Sequence, residues 1–312
     1  MKFVVSKTAK VRFDFYQFID HEDGSVCNIN DLLNEIYNLP IKDREMTYFG
    51  NGARLDNYEI IDDFLVYFHM TRLRDEGIAS TKSTDNELND IDLGSDEFIA
   101  EDINCLFDTS ANVIVIQRNS HSLSIKGVGK YLEKMYSKVH DEKEIELDIE
   151  FVKNKETFSK VKRTDQFNKL TLRAASAIKN PLTGPVKKVT GIFSGIFDQF
   201  DGEEVTITIS AGKGKNKKEL KKNSVLQTVQ MIKDDKSLFS KALVTGKEGD
   251  APVETFDLIN GRLLLYRTFS TTKIKDNVTR KIHLNPEAVK NDIVDQYKRK
   301  GGYRELVIKN LS

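Results

Sequence analysis

The sequence predicts an α+β protein with mixed or antiparallel sheets and with helices packed on one side of them. Three observations predict this class. Residues 10–18 (KVRFDFYQF) alternate apolar and polar side chains, as a half-buried strand does. Residues 102–136 have the pattern of two strands, a loop and a helix. Strands and helices then interleave to the end of the chain without the long apolar runs of parallel sheets.

The first 140 residues contain well-marked elements. After the strand over 10–18, Asn30 is positioned to cap a short helix, and residues 63–74 (DFLVYFHMTRLR) predict a core strand. The stretch 48–60 (YFGNGARLDNYEI) is rich in turn residues, with Gly50 and Gly52 suited to positive φ. Residues 102–107 and 112–116 predict two strands joined by the turn DTSAN. A helix over 125–136 follows, with Ser122 or Ser124 as its cap.

The rest of the chain predicts shorter units. The last helix has the clearest signals: Asn285 caps it, Pro286 opens it, and Val289, Ile293 and Tyr297 form one apolar stripe. The predicted strands span residues 145–152, 169–174, 205–210, 237–245, 254–258 and 262–270, and the predicted helices span residues 157–163, 191–200, 224–234 and 286–300.

Charge divides the chain into two halves, although the formal net charge is zero. Residues 1–150 carry about 16 basic against about 30 acidic residues, and residues 151–312 carry about 32 against about 18. We therefore expect an acidic N-terminal α+β domain over 1–140 and a basic C-terminal α+β domain over 150–312. The two halves either attract one another, in the fold or in a dimer, or the basic half binds a polyanion.

Residues 75–97 (DEGIASTKSTDNELNDIDLGSDE) are small, polar and acidic. Their apolar content is too low for a packed element, which predicts a long surface loop or a disordered insert. A solvated loop is the simpler interpretation, and shielding of a basic groove is the alternative.

The chain contains none of the motifs that identify common enzymes. GxxxxGK[ST], GxGxxG and GxSxG are absent, and Gly212–Lys218 (GKGKNKK) lacks the spacing of a phosphate-binding loop. Two cysteines, Cys27 and Cys105, and five scattered histidines give no metal-ligand spacing, so we expect free thiols, no metal and no cofactor. With no signal peptide and no apolar run near 18 residues, we expect a cytoplasmic protein without a membrane partner.

A metal-dependent nuclease is one alternative function. Asp148 and Glu150 alternate on one face of a predicted strand, and Lys153 follows. The spacing of such nuclease motifs is not met, and a solvated strand face explains the two carboxylates. The sequence therefore favours a protein that is not an enzyme.

Polyanion binding has stronger support. Clustered lysines and arginines release counterions when they neutralise phosphates, which suits binding to nucleic-acid backbones without base recognition. A solubilising lysine-rich loop is the alternative explanation. The candidate binding residues are Lys187, Lys188, Lys213, Lys215, Lys217, Lys218, Lys221, Lys222, Arg280 and Lys281.

Several segments between residues 10 and 140 resemble an uncharacterised bacterial family that is known only as a domain of unknown function. They are VRFDFYQF, YFGNGARLDN, VYFHMTRLRD, DEFIAED and, most distinctively, VIVIQRN at 113–119 with the Ser-rich loop behind it. The resemblance implies a bacterial or phage-related cytoplasmic protein from mobile-element or anti-phage neighbourhoods, and it implies no activity.

Within that motif, Gln117, Arg118 and Asn119 follow a predicted strand and precede a helix N-terminus, where functional residues are common. Arg118 either binds a phosphate or carboxylate, or pairs with Glu101, Asp102 or Asp108 to lock the hairpin.

These observations predict a nucleic-acid-binding protein, DNA or RNA, which acts as a sensor or effector subunit in anti-phage defence. The alternatives are a divergent metal-dependent nuclease, and a protein-interaction module that forms a homodimer or docks on a larger defence complex.

Overall fold

The computed structural model describes residues 7–74, 81–82, 88–89, 91, 93–94, 97–141, 145–175, 186–212, 219–251, 253–275 and 278–312. Its strands are β1 (Thr8–Asp20), β2 (Glu45–Tyr48), β3 (Asn51–Asp62), β4 (Leu65–Arg74), β5 (Thr81–Lys82), β6 (Leu88–Asn89), β7 (Ile99–Asp108), β8 (Val113–Gln117), β9 (Leu147–Phe151), β10 (Gln166–Ala175), β11 (Glu204–Ser210), β12 (Lys241–Lys247), β13 (Glu254–Asp257), β14 (Leu264–Ser270), β15 (Thr272–Lys275) and β16 (Val278–Lys281). Its helices are α1 (Asn30–Asn38), α2 (Ile125–His140), α3 (Thr157–Arg163), α4 (Val186–Phe200), α5 (Lys222–Asp234), α6 (Pro286–Lys298) and α7 (Tyr303–Leu311).

Contacts group the chain into two compact units. Unit 1 consists of Met1–Val152 together with Arg267–Ser312, and unit 2 consists of Lys153–Tyr266. The division into domains at 1–140 and 150–312 stays a prediction. In terms of contacts, the C-terminal helices α6 and α7 belong with the N-terminal strands.

Unit 1 is built on one large sheet, in the strand order β14-β1-β8-β7-β4-β3-β2, with β9 also paired to β1. β4 pairs antiparallel with both β3 and β7 over most of its length. β1 pairs antiparallel with β8 through Phe13–Tyr16 and with β9 through Tyr16–Asp20. Thus β2 and β9 both lie at margins of the sheet.

One face of this sheet packs against α1 and α2, and we call it the inner face. Its core includes Phe68 and Met70 of β4, Cys105 of β7, Ile116 of β8 and Tyr131 of α2. Alternation along each strand places these apolar side chains on one side. The apolar side chains of neighbouring strands form one continuous surface. The helix α2 packs on this surface along most of its length.

The outer face carries the C-terminal helices. Tyr303 at the start of α7 stacks on Phe15 of β1, with ring centroids 5.2 Å apart. Arg304 lies over the Phe64 ring at 3.9 Å. Val289, Ile293 and Tyr297 of α6 are buried, as their spacing predicts, and the Asn285 side chain accepts a hydrogen bond from the Ala288 amide as the predicted cap. The sequence predicted α6 as a helix, but it predicted neither α7 nor the position of these helices on a second face of the sheet.

Unit 2 is a four-stranded antiparallel sheet in the order β11-β10-β12-β13. Its core joins Phe167 and Leu172 of β10 with Phe193 and Phe197 of α4 and Val229 of α5. The helix over 157–163 is confirmed, and the predicted strands in this unit are found with shifted ends. The segment at 237–240 is a short 3-10 turn followed by a coil rather than strand.

The predicted α+β class is confirmed, as are the core strand over 63–74 and the Ser124 cap of α2. Gly50 has the predicted positive φ, whereas Gly52 does not, because residues 51–62 form the return strand β3 of a hairpin. The helix α7 is an element for which the sequence analysis made no prediction. Most of the acidic segment 75–97 lies outside the described residues, although β5 and β6 form a two-residue ladder within it. Among the described residues, no helix is long and apolar enough to cross a membrane.

Candidate functional site

An open groove of about 720 Å³ lies in unit 1 where β2 and β9 flank α2. The two strands are margins of the same curled sheet, and α2 occupies the space between them. The backbone edges of both strands lie beside the groove.

The floor of the groove is the exposed side of α2. Lys126, Lys130 and Lys134 line it at a spacing of four residues, which places them on one side of the helix about 6 Å apart along its axis. Lys130 pairs with the buried Glu133 at 2.5 Å. Among the described residues neither Lys126 nor Lys134 has an ion-pair partner. The floor therefore carries excess positive charge.

Glycines in α2 set the depth of the floor. The Gly127 backbone lies close to the Tyr48 ring, and a Cβ on Gly127 would be 3.1 Å from that ring. A Cβ on Gly129 would meet Phe18 at 3.4 Å and Ile149 at 3.5 Å. Two glycines in a helix lower its intrinsic stability by about 1 kcal/mol each relative to alanine. The absence of a Cβ at Gly127 lets the hairpin approach the helix backbone, whereas the distances at Gly129 are ordinary van der Waals contacts.

The rim of the groove is the tip of the β2–β3 hairpin. Phe49 and Gly50 form a two-residue loop with φ of 46° and 76°, the pattern of a type I′ turn. Phe49 is an unusual residue at this position, because the left-handed region favours glycine and asparagine. Its side chain is 84% exposed and touches Tyr48 edge-on, with ring centroids 4.7 Å apart. An aromatic platform thus lies beside the lysine row.

The third wall is β9, which carries acidic residues. Glu146 and Asp148 line the groove. His21 Nδ1 lies 2.9 Å from Asp148 Oδ2, and this hydrogen bond, supported by the charge of Glu146, raises the pKa of His21. At the base of this wall the Leu147 amide donates to Glu133 Oε1 at 2.9 Å, which fastens β9 to α2. Leu147 and Ile149 are the β9 side chains that pack towards the core beside α2, whereas Asp148 alternates to the other face of the strand, where it meets His21.

The nuclease candidates lie on β9 and just after it, and their role stays a prediction. Asp148 and Glu150 are exposed on β9 in unit 1, and Lys153 belongs to unit 2. In the part of the chain that the structure describes, no three His, Cys, Asp or Glu side chains are grouped so that they could hold a metal ion.

The motif residues 117–119 lie where the sequence predicts, at the end of β8 and in the loop that leads to α2. Gln117 is buried at the end of β8, where its Oε1 accepts a hydrogen bond of 2.6 Å from Asn104 Nδ2. Asn119 Nδ2 donates to the Asp102 carbonyl at 3.0 Å. Arg118 is exposed, and among the described residues it forms no ion pair with Glu101, Asp102 or Asp108. Gln117 and Asn119 thus order the loop before α2.

Histidines take the place that was expected of Arg118. Asp102 is buried, and His69 Nε2 lies 2.8 Å from its Oδ2. His283 Nε2 lies 2.9 Å from the other oxygen, Oδ1, but is not aligned for a hydrogen bond. Asp108 pairs instead with Arg304 at 3.1 Å.

The structure describes only part of the predicted basic clusters. Lys213, Lys215, Lys217 and Lys218 lie outside the described residues. Lys187 and Lys188 belong to α4, but their side chains are not described. Lys221 precedes α5, and Lys222 lies 3.3 Å from Asp165. Arg280 is exposed on β16, and Lys281 ends that strand. Their role in binding stays a prediction.

Two sequence patterns point to the groove. Lys126, Lys130 and Lys134 repeat at the helical period on a helix whose opposite side is apolar. Phe49-Gly50 between two alternating stretches marks a hairpin whose tip carries an aromatic ring. No local sequence pattern predicts that β9 lies close to this helix, because this contact depends on the pairing of β9 with β1.

A protein-family model described as "Family of unknown function (DUF6731)" matches residues 6–307. No curated protein matches the chain.

Proposed function

Because the chain belongs to the family of unknown function DUF6731, we propose its function from the groove: it binds single-stranded nucleic acid there and does not catalyse a reaction. The observation that carries the proposal is the exposed ring of Phe49 beside the lysine row of α2. Proteins that hold single strands combine a basic track for phosphates with aromatic rings on which bases stack.

The spacing of the lysines supports this ligand. Successive lysines rise by about 6 Å along α2, which is comparable to the separation of successive phosphates in an extended single strand. Lys126 and Lys134 have no ion-pair partner among the described residues, so both ammonium groups are available to a ligand. Binding of this type weakens with salt, because each neutralised phosphate releases counterions.

The conformation of Phe49 supports the same ligand. An exposed phenylalanine in the left-handed region gains little from burial and bears strain of about 1–2 kcal/mol. Such strain is typical of positions where the side chain has a functional role. A base stacked on the ring would cover the apolar surface that is exposed in the free protein.

The predicted lysine clusters of the C-terminal half would add a second polyanion contact. The resemblance of the N-terminal segments to a bacterial family motivates a further proposal, that the protein is a cytoplasmic sensor or effector subunit in anti-phage defence. Nucleic acid from an infecting phage would then be the ligand, and a homodimer or larger defence complex the assembly.

Fluorescence anisotropy with labelled single-stranded and double-stranded DNA and RNA, over a salt series, tests the function. We expect single strands to bind with a log-linear salt dependence, and Lys126→Glu with Lys134→Glu to lower affinity at least tenfold and to reduce the salt slope by about two phosphates. Lys221→Glu with Lys222→Glu tests the C-terminal cluster separately, and Lys162→Glu with Lys233→Glu is the control, because these two exposed lysines lie outside both candidate sites and their replacement changes the net charge by the same amount.

The outcomes separate the candidate sites. If the Lys221/Lys222 variant loses binding and the groove variant keeps it, the basic C-terminal cluster is the site and the groove proposal is wrong. If neither oligonucleotide class binds at low salt, nucleic-acid binding itself is wrong, and a protein-interaction role replaces it. Cleavage of the oligonucleotide with Mg²⁺ or Mn²⁺ that Asp148→Ala abolishes would establish the nuclease alternative.

A further inference from the structure

The strand β11 is an open edge of the unit 2 sheet. It pairs with β10 over Glu204–Ser210 without a bulge, and among the residues that the structure describes no strand pairs with its other side. The Ala211 amide donates to the Asn168 carbonyl of β10 at 2.9 Å. Because the direction of backbone hydrogen bonds alternates along an antiparallel strand, Thr206 and Thr208 direct their N–H and C=O groups away from β10. The outer side of β11 thus offers a row of backbone donors and acceptors.

The residues of β11 do not protect this edge. Natural edge strands are protected by lysine, by proline or by a bulge. Residues 205–210 (VTITIS) contain no charged residue and no proline, and the Ile209 side chain is 46% exposed. The charge of Glu204, at the start of the strand, lies 2.9 Å from Arg173 of β10. An unprotected edge that is rich in β-branched residues is typical of a strand that pairs with another chain.

The helix beside this edge has an exposed apolar side. α4 packs on β11, and its Phe193 and Phe197 are buried in the core of unit 2. Ile192, Ile196 and Phe200 follow one another at a spacing of four residues, which places them along another side of the helix. Ile192 is 54% exposed and Phe200 is 71% exposed. A partner that extends the sheet beyond β11 would lie next to this apolar surface.

The charges that flank β11 in the sequence are self-complementary. Asp201 and Glu203 are exposed just before the strand, and neither has an ion-pair partner among the described residues. Lys213 and Lys215 follow the strand in the sequence. Antiparallel pairing brings the start of one strand to the end of the other. Two β11 strands paired in this way would therefore bring an acidic flank to a basic flank at both ends.

We propose that β11 pairs antiparallel with β11 of a second copy of this chain, which joins two four-stranded sheets into one continuous sheet. This inference goes beyond the proposed function and does not depend on it. Pairing centred on Ile207 sets Thr206 of one copy opposite Thr208 of the other, so that the outward-directed backbone groups face one another. Both helix layers then lie on the same side, with α4 beside α4. A second copy supplies the reversed order of charges by symmetry, which an unrelated strand does not.

Analytical ultracentrifugation of the full-length protein over a concentration series measures the association. We expect a reversible dimer, and we expect Thr206→Lys with Thr208→Lys to weaken dimerisation on the order of tenfold, because lysines would then lie directly opposite one another. Val253→Lys with Thr255→Lys is the matched control, since it adds the same charge at the opposite edge of the same sheet. Circular dichroism checks that each variant is folded.

An exchange of charges identifies the surface by a second route. Asp201→Lys with Glu203→Lys leaves basic flanks on both sides of β11, and Lys213→Glu with Lys215→Glu adds acidic residues after the strand. We expect each variant alone to dimerise more weakly than the wild type, because like charges then meet. An equimolar mixture of the two variants should form heterodimers, because each copy supplies the charge that the other lacks.

A wild-type protein that stays monomeric over the concentration series would overturn the inference. A dimer that the Thr206/Thr208 variant retains at wild-type affinity, or that the Val253/Thr255 control weakens equally, would overturn it as well, because the interface would then lie elsewhere. A mixture that associates no better than its two components would show that the flanks of β11 do not meet. None of these experiments contains an oligonucleotide, so their failure is distinguishable from failure of the proposed function.

Discussion

The Tyr297 hydroxyl donates a hydrogen bond of 3.0 Å to Asp108 Oδ2, and both residues are buried. The bond joins α6 to the end of β7, 189 positions earlier in the chain. Burial, followed by the charge of Asp108, raises the pKa of Tyr297, so the phenol stays protonated as a donor. The other oxygen, Oδ1, accepts from the amides of Ser110 and Ala111, which places one carboxylate between a turn and a helix.

Tyr297→Phe removes the hydroxyl and leaves the packing of the ring in place. In this variant Asp108 keeps its ion pair with Arg304 and its turn contacts but loses one buried hydrogen-bond donor. We therefore expect the free energy of unfolding to fall by about 1–3 kcal/mol. Urea denaturation measures the change. Tyr37→Phe is the control, because no hydrogen bond of its hydroxyl is found among the described residues, and it should change stability by less than about 0.5 kcal/mol. Equal effects of both variants would contradict the role of the bond.

The charge asymmetry of the sequence is partly satisfied inside unit 1. Lys290 lies 2.9 Å from Glu59, Lys298 pairs with Asp62, and Arg304 pairs with Asp108. In each pair a basic residue of the C-terminal helices meets an acidic residue of the N-terminal strands. Attraction between acidic N-terminal strands and basic C-terminal helices, one of the two alternatives from the sequence, is therefore found within unit 1.

Phe49→Asn separates stability from binding. Asparagine tolerates the left-handed conformation, which relieves about 1–2 kcal/mol of strain, while the lost contact with Tyr48 removes a similar amount. We expect the free energy of unfolding to change by less than about 1 kcal/mol and affinity for single strands to fall about tenfold, as for one stacked base. If the affinity stays at the wild-type value, the ring of Phe49 does not contribute to binding and this part of the proposal is wrong.

Gly246→Ala tests the packing of unit 2. A Cβ on Gly246 would lie 2.6 Å from the Gln166 carbonyl oxygen, which belongs to the backbone and cannot move freely. We expect a loss of stability of about 2 kcal/mol or more. Gly195→Ala in α4 is the matched control, since a Cβ there meets nothing within 4 Å and the helix should gain about 1 kcal/mol. Thermal unfolding compares the two, and a neutral Gly246 variant would show that the strand shifts to make room.

The pKa of His21 gives a direct test of the β9 wall. Its hydrogen bond to Asp148 raises the pKa above the ordinary value of 6.5. The stabilising contribution is therefore fully present below 6.5 and is lost as the pH rises through the raised pKa of the folded protein. NMR titration of the imidazole should show the shift, and Asp148→Asn should return the pKa towards 6.5. A titration that Asp148→Asn leaves unchanged would mean that the pair does not form in solution.

The two cysteines should differ in reactivity. Cys105 is fully buried in the core, and burial raises the pKa of its thiol well above the usual range. Cys27 is partly exposed, although burial and then Asp20 also raise its pKa. A thiol reagent at pH 8 should label one cysteine in the native protein and two in denaturant. Cys27→Ser should abolish the native labelling, and rapid labelling of two thiols in the native wild type would contradict the core assignment.

Local patterns predicted the elements whose signals lie within a few residues. The Asn285 cap, Pro286 and the stripe of α6 are one case, and the alternation of β4 is another. The β2–β3 hairpin was missed because Gly50, Asn51 and Gly52 resemble a loop. Gly52 in fact lies within β3 opposite Leu73, where a Cβ would be 3.2 Å from the Leu73 Cβ.

The candidate site was harder to predict than the fold. The sequence pointed to Asp148 as a candidate residue but not to the lysine row of α2, which consists of Lys126, Lys130 and Lys134. The groove that these residues line forms only when β9 pairs with β1 after α2 has crossed the sheet. The basic run at 213–222 was conspicuous in the sequence for its density. Density of charge predicts a polyanion surface, whereas a groove requires tertiary contacts that no single segment specifies.

Unit 1 is assembled from both ends of the chain, and this determines the order of events on the ribosome. Its strands leave the exit tunnel first, and the helices that cover the outer face of the sheet leave last. While residues 153–266 are translated, which takes on the order of ten seconds, side chains such as Phe15 have no covering partner from α7. During that interval apolar side chains on the outer face of the nascent sheet stay exposed, which favours aggregation of the incomplete chain.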